Sequence, residues 1–324
     1  MTRTASPEPL VTVVVCTRDR LEDIGRCLPT ILANDYPNFE VIVVDQSTTD
    51  ACQELLDHIP DPRLVRLRLN YAGKARAENA ALERARGEFI AFTDDDCEVP
   101  RNWLRRATSV LAAELDAAIV FGAVAAAPHD WAEMHVPTFL PVEYRKIRGR
   151  WIRYPVDGGI GANMVVRRSL FDRLGGFDEW VGPGSPFRSG DDFELVYRSL
   201  WKGYALVQDP ENIVIHWGMR PYATGAARRS WHNNYYGMGA THMRHVRRGN
   251  WVAAPLFFRQ VWWAVELIIP RVIERNRNLA IRRSLYLLLG AFKGLTSPLS
   301  LKWPVEESQQ EAETADTGSA SRAR

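Results

Sequence analysis

Residues 93–96 read Thr93-Asp94-Asp95-Asp96 and follow the apolar run 88–92, so three adjacent carboxylates stand at the end of a predicted strand. Like charges this close repel one another, and a cation is the ordinary remedy. Hard divalent ions such as Mg2+ or Mn2+ take such oxygen ligands and share them with substrate phosphates. A diphosphate leaving group benefits from such an ion, which offsets the charge that grows as the bond breaks. Taken alone, the trio reads equally well as an acidic turn capping the next helix. A second acidic pair, Asp191-Asp192, opens the helical stretch 191–202. One carboxylate within reach of a hydroxyl can act as its general base, and a neighbouring acid raises that base's proton affinity. Here the plainer alternative is a helix start stabilised by negative charge.

The elements that must position these groups are legible from the apolar pattern. Residues 10–16, 39–45, 63–69, 88–93 and 117–123 are short apolar runs, most of them rich in β-branched side chains, and read as buried strands. Between them, 21–34, 50–59, 75–85 and 103–114 carry helical spacing or good helix formers. Such alternation predicts an α/β fold with a mostly parallel sheet and flanking helices. Ligands of such sheets bind at the carboxyl ends of the strands. Thr17, Asp45 and Asp94 all fall at those ends, so three groups distant in sequence converge on one crevice. Beyond them, 125–160 is irregular, with Pro128, Pro137, Pro141 and Pro155. Residues 158–167 approach a strand, 169–174 form a helix, 175–190 make a glycine-rich loop, and 205–207 and 213–216 are short strands.

Hydrophobic residues make up 46% of the 324 and charged residues 25%, which permits a packed core and excludes wholesale disorder. Cys16, Cys27, Cys52 and Cys97 lack paired metal spacing and, with no secretory signal at the start, read as reduced thiols rather than a zinc site. The net charge of +2 hides an asymmetry: residues 1–219 hold 25 Lys and Arg against 32 Asp and Glu, whereas 220–305 hold 14 against 2. The second block suggests an anionic partner; solvated helix faces are the plainer reading.

Read in order, the motifs form a series. Thr17-Arg18-Asp19-Arg20 is followed by Asp45-Gln46-Ser47, then by Gly73-Lys74-Ala75-Arg76 with Asn79, then by the acidic trio. Gly161-Ala162-Asn163, Gly175-Gly176-Phe177-Asp178, Ser189-Gly190-Asp191-Asp192 and Ile215-His216 come after it. This ordered set resembles the family 2 glycosyltransferases over about residues 10–218. The resemblance implies a GT-A (Rossmann-like) fold and an inverting transfer of a sugar from a nucleotide-diphosphate donor to a hydroxyl of a glycan or lipid-linked acceptor. It implies Mn2+ or Mg2+ held by Asp94, Asp96 and His216. Thr17 and Asp45 would hold the nucleobase, while Arg18, Lys74 and Arg76 would hold base or diphosphate. Asp94 would also approach the ribose, with Asp95 as the variable middle position of the donor site. Asp192 would be the catalytic base beside Asp191, and Asn163 would shape the acceptor side. Arg167 and Arg198 are expected as scaffold ion-pair partners.

The pattern departs from the family in places. Glu78 stands before Asn79 where Arg is usual, and Gln46 follows Asp45 where a carboxylate is usual. The processive Gln-x-x-Arg-Trp element has only a partial echo in Arg228-Arg229-Ser230-Trp231, which favours single transfer. The expected organisation is a flexible start at 1–9, the catalytic domain at 10–219, a basic, Trp-rich helical appendage at 220–305 and a disordered tail at 306–324. In the appendage, Arg259, Glu266 and Pro270 interrupt the best apolar window, so a helix on a membrane surface is expected rather than a span. Packing onto the catalytic domain is the alternative. A cytoplasmic protein meeting the inner face of the plasma membrane, in cell-surface polysaccharide or glycolipid synthesis, follows as the expectation. Two other functions compete: a nucleotidyltransferase, and a non-enzymatic protein binding an anionic surface or nucleic acid. The first would carry a glycine-rich loop after the first strand, where Cys16-Thr17-Arg18 stands. The second has no recognised nucleic-acid motif here, and none is expected as a partner.

Overall fold

The computed structural model describes residues 8–149, 158–266 and 277–303. Most of 1–9, Pro155, the end of the apolar stretch 261–269 and the tail 306–324 lie outside them. The amino-terminal part alternates as its apolar runs predict: β1 (Val11–Thr17), α1 (Leu21–Leu32), β2 (Phe39–Asp45), α2 (Ala51–Asp57), β3 (Leu64–Arg68), α3 (Lys74–Leu82) and β4 (Phe89–Asp94). β5 (Cys97–Glu98), α4 (Trp103–Ala113), β6 (Ala117–Ala126), β7 (Met134–His135) and β8 (Arg145–Ile147) follow. After them come β9 (Met164–Arg167), α5 (Arg168–Leu174), α6 (Asp191–Trp201), β10 (Ala205–His216) and β11 (Arg220–Pro221).

Among the described residues the main sheet has nine strands, ordered β3-β2-β1-β4-β9-β6-β10-β5, with β8 also on β10. β1, β2, β3 and β4 run parallel. β9 is reversed between β4 and β6, so the sheet is mixed at that place. The two short strands expected at 205–207 and 213–216 are one strand, β10, bulged between Asp209 and Ile213. Side chains alternate across the sheet: Val13, Val41 and Val43 pack on one face with Leu28 and Trp103, and Val14, Ile42 and Val44 pack on the other with Phe92 and Phe177. Both faces are thus covered, which is why these runs are apolar throughout.

The carboxy-terminal part is helical, with α7 (Ala226–Arg247), α8 (Ala253–Glu266) and α9 (Arg277–Thr296). Glycines let α7 and α9 approach closely. A Cβ on Gly239 would overlap the Leu287 carbonyl, and one on Gly290 would overlap the Tyr236 carbonyl. α7 is also pinned to the α/β part by charge. The Arg244 guanidinium, almost fully buried, donates to both oxygens of Asp178, and Arg248 adds a bond at 2.9 Å. A carboxylate with no exposure requires such partners. Arg247 spends its guanidinium on the carbonyls of Gly294 and Ser297. Arg244 and Arg248 of the basic block therefore turn inward, and Arg247, though exposed, is held by backbone carbonyls. Arg198 pairs with Glu194 at 2.8 Å as a scaffold residue, whereas Arg167 bonds the Ala117 and Leu111 carbonyls rather than an acid.

Candidate active site

Strand register brings the predicted groups to one edge. Thr17 lies opposite Asp45, and Cys16 lies opposite Asp94. β10 ends beside β5, with His216 opposite Cys97. That pairing carries the imidazole to the acidic turn, and its Nε2 lies 3.1 Å from Asp96 Oδ1. A crevice of about 340 Å³ follows, lined by Thr17, Arg18, Arg20, Lys74, Asp94, Asp95, Asp96 and His216. A second hollow of about 200 Å³ shares Lys74, Asp94, His216 and Arg220 with it and adds Gly161, Asp191 and Asp192. A roomier cavity of about 520 Å³ on the far side of α3, around Arg76 and Trp303, contains none of the converging acids.

Lys74 joins the two hollows. Its Nζ lies 2.5 Å from Asp94 Oδ1, 3.9 Å from Asp191 Oδ2 and 4.0 Å from Glu78 Oε1. Burial works against its charge, but the three acids hold the ammonium well above its ordinary range. Glu78 is itself pushed well up by burial and by Asp191 and Asp94, against the pull of Lys74. Asp192 is aimed by backbone: its Oδ2 accepts from Gly161 N at 2.9 Å and its Oδ1 from Phe193 N at 2.6 Å. Gly190, at φ 99°, turns the chain into α6 just before the pair. Burial and the Asp191 charge push Asp192 up to about 6, and burial also raises Asp191. A carboxylate in that range is suited to take a proton from a hydroxyl near neutral pH.

The acidic turn carries its own counter-charges. Arg20 Nη1 donates to Asp95 at 2.8 Å and to Asp96 at 2.9 Å. Burial would raise Asp96, but His216 and Arg20 hold it well below the usual carboxylate range. Burial and Asp96 push Asp95 up to about 6, with Arg20 pulling the other way. Burial opposes charge on His216 too, yet the Asp96 carboxylate 3.1 Å away raises it.

The donor set fits a divalent ion. Ligand atoms of Asp94, Asp96, Cys97 and His216 all lie within 4.8 Å of one another. Burial pushes the Cys97 thiol well up, which keeps it protonated and leaves two carboxylates and an imidazole. Asp96 Oδ1 is buried without a well-aligned hydrogen bond. His216 Nδ1 lies 2.8 Å from the Pro137 carbonyl, an arrangement in which Nδ1 donates and Nε2 is fixed toward the cluster. Gly218 leaves the space open, since a Cβ there would come 2.6 Å from His216 Nε2 and 2.8 Å from Asp96 Oδ2.

Three expected site residues are placed elsewhere. Asp45 is fully buried, and its carboxylate accepts from Ser47 N, Gln53 Nε2 and, at 2.7 Å, Arg68 Nη1. The cause is register, because Arg68 stands directly across from it on β3. Arg76 points away from the crevice, over the rings of Tyr71 and Trp303. Two residues apart on a helix means about 200° of rotation, so Lys74 and Arg76 cannot face the same hollow. Asn163 is buried in the scaffold: it accepts from Trp103 Nε1 and donates to the Ala123 and Asn212 carbonyls. It lies at the entry to the reversed strand β9, whose orientation the sequence did not reveal. Conversely, Arg20, Glu78, Gly218 and Arg220 belong to the site and were missed as site residues. Glu78 was findable from its i,i+4 spacing to Lys74. Arg220, which lines both hollows and donates to Ser230 Oγ on α7, had no sequence signal.

The site thus sets an acidic turn facing an imidazole at the edge of an α/β sheet, with a second acid pair across a bridging lysine. A model of "Glycosyl transferase family 2" matches residues 12–175, and the chain belongs to that family. Its fold is the GT-A fold. Superposition on the mannosyltransferase PcManGT from Pyrobaculum calidifontis, in complex with GDP-Man and Mn2+, gives a TM-score of 0.59 at 21% identity, covering 89% of this chain and 87% of that one. TarS of S. aureus with UDP-GlcNAc gives 0.57 at 16% identity, covering 88% and 90%. Among curated relatives, the O-antigen biosynthesis protein RfbC of Myxococcus xanthus is 28% identical over 64% of this chain, which spans 17% of that protein. Beta-monoglucosyldiacylglycerol synthase of Synechocystis is 28% identical over 63% of this chain and 43% of its own length. The E. coli UDP-Glc:alpha-D-GlcNAc-diphosphoundecaprenol beta-1,3-glucosyltransferase WfaP is 34% identical over 27% of this chain and 35% of its own length. The chain thus spans less than half the length of these curated relatives.

Proposed function

We propose that this chain is a metal-dependent, inverting, non-processive glycosyltransferase. It would move a sugar from a nucleotide-diphosphate donor to a hydroxyl of a glycan or lipid-linked acceptor, in cell-surface polysaccharide or glycolipid synthesis. The observation that carries the reading is Lys74, whose Nζ spans Asp94 on the metal side and Asp191 on the base side. A donor diphosphate and an acceptor hydroxyl would therefore meet within one side chain's reach. Similar structures are complexes with GDP-Man and with UDP-GlcNAc, and one relative is named for a diphosphoundecaprenol-linked acceptor. Both support the donor and acceptor classes.

In this reading Asp94, Asp96 and His216 hold Mn2+ or Mg2+, which when bound offsets charge on the leaving diphosphate. Thr17, Arg18 and Asp95 border the donor, and Lys74 is the counter-ion nearest its diphosphate. Asp192 accepts the acceptor's hydroxyl proton as that oxygen bonds to the anomeric carbon. The bond from that carbon to the diphosphate oxygen breaks on the opposite face, and the nucleoside diphosphate departs. Asp191 keeps the base's proton affinity high.

The test is a donor screen by thermal shift with Mn2+ present, because a ligand of the folded state raises apparent stability. The stabilising nucleotide sugar is then incubated with glycan and lipid-linked acceptors. Release of a nucleoside diphosphate with inversion at the anomeric carbon is expected. Release of pyrophosphate, or retention of configuration, would overturn the reading.

A further inference from the structure

α8 and α9 each bury one face and leave the other uncovered. Their shared contact is Phe257 with Leu287 and Ala291. On α9, Ile281, Leu285, Leu288, Leu289, Phe292 and Leu295 are all exposed, Phe292 at 67%. At about 100° per residue these six fall in an arc roughly 120° wide, and from first to last they cover about 21 Å of helix. Arg282 and Lys293, both exposed, stand at one edge of the same arc. On the α8 side, Phe258 and Trp262 are exposed at 68% and 65% and share one side of the helical wheel, and Trp251, in the turn just before α8, is exposed at 72%. A contiguous uncovered row of this size is not ordinary surface. Trp, Phe and Leu edged by Lys and Arg is the composition of a helix lying in a lipid headgroup layer.

We propose that this arc of α9, with the exposed aromatic side of α8, docks the protein on an anionic phospholipid surface. Charge selects the occupant. α9 itself carries Arg277, Arg282, Arg283 and Lys293 and no acid, so two copies set face to face would bring like-charged rims together. An anionic lipid leaflet instead attracts them. Among the described residues no helix is long and apolar enough to cross a membrane, so the contact is one of lying on the surface. The inference goes beyond the proposed transfer reaction and does not depend on its chemistry.

The test is co-sedimentation of the full chain with vesicles of phosphatidylcholine alone, or with about a third phosphatidylglycerol. Binding to the anionic vesicles, weakened by salt, is expected. A variant with Phe258→Ser and Trp262→Ser, and another with Leu288→Ser and Phe292→Ser, should each lose at least about tenfold in partition coefficient. Replacing Arg282 and Lys293 by Gln should lose roughly fivefold per cation, on anionic vesicles only. Circular dichroism and transfer to a short water-soluble acceptor should stay at wild-type level. They show that the variants fold, and they separate failure here from failure of the proposed reaction. Three results would overturn the proposal: wild type that stays in the supernatant, variants that sediment like wild type, or a lipid-free dimer that the apolar variants turn into monomers.

Discussion

The Asp191-Asp192 pair gives the sharpest handle on the proposed chemistry. Asp192 is pushed from 3.8 up to about 6, first by burial and then by the charge of Asp191. As the base it must be deprotonated, so kcat/KM should fall with unit slope as pH drops below about 6 and level off above it. Asp191→Asn removes one negative charge at constant size. Carboxylates on adjacent residues, in a medium of effective dielectric 20–40, repel by on the order of 2 kcal/mol. About 1.36 kcal/mol corresponds to one pH unit, so the acid limb should move down by at least about one unit. The sign is fixed: with less repulsion the ionised base is favoured, and the variant keeps more of its plateau activity at pH 5. Lys74, 3.9 Å from Asp191 in the native protein, works in the same direction once its partner is neutral. The two acids titrate as a pair in the wild type, and the variant leaves a single group. The assay is nucleoside diphosphate release from pH 4.5 to 8.5 at saturating Mn2+. The result is discriminating because Asp95, on the other side of the crevice, is also pushed up to about 6. If the limb stays where it is, Asp95 or another group sets it, and the base assignment is wrong. An upward movement would refute the electrostatic account itself.

Four further outcomes are expected. Asp192→Asn should lower kcat by about 10²–10⁴ while donor and Mn2+ affinities by calorimetry stay unchanged, since Asp192 lies outside the donor hollow. Asp96→Ala or His216→Ala should weaken donor binding at least tenfold with Mn2+ present and much less without it. Gly290→Val would drive a side chain into the Tyr236 carbonyl on α7 and should destabilise by about 3 kcal/mol, read as lost denaturant midpoint. Arg244→Met should cost about 3 kcal/mol by the same measurement, because Asp178 stays buried with Arg248 as its remaining guanidinium.

Much of the scaffold follows from local pattern. The β-branched runs ending at Thr17, Asp45 and Asp94 become adjacent parallel strands because apolar residues on both faces must be buried, and helices cover them. Asp96, His216, Asp191 and Asp192 were legible only as members of an ordered series of motifs that resembles the family 2 glycosyltransferases, since each acidic group alone reads equally well as a helix cap. What failed was direction. Arg76 and Lys74 looked equivalent in sequence, yet helix rotation sends them to opposite sides of α3. Asp45 looked available, yet Arg68 stands across from it. Asn163 was expected to shape the acceptor side, yet it is held against Gly122, where an added Cβ would overlap its amide.

The sequence alone determined an α/β sheet with an acidic turn at the end of one strand, and an acid pair and a histidine that follow it in the order of a family 2 glycosyltransferase. Strand length, hydrophobic period and the placing of polar groups at strand ends are local properties, and local chemistry suffices to read them. Only the tertiary structure decided which charges meet there. Lys74 and Arg20 are the counter-ions, Asp45 is spent on its neighbour, Arg244 is buried instead of presented to a partner, and the row from Ile281 to Leu295 is left uncovered. These outcomes turn on register between distant strands and on the close approach of α7 to α9, which no window of sequence contains.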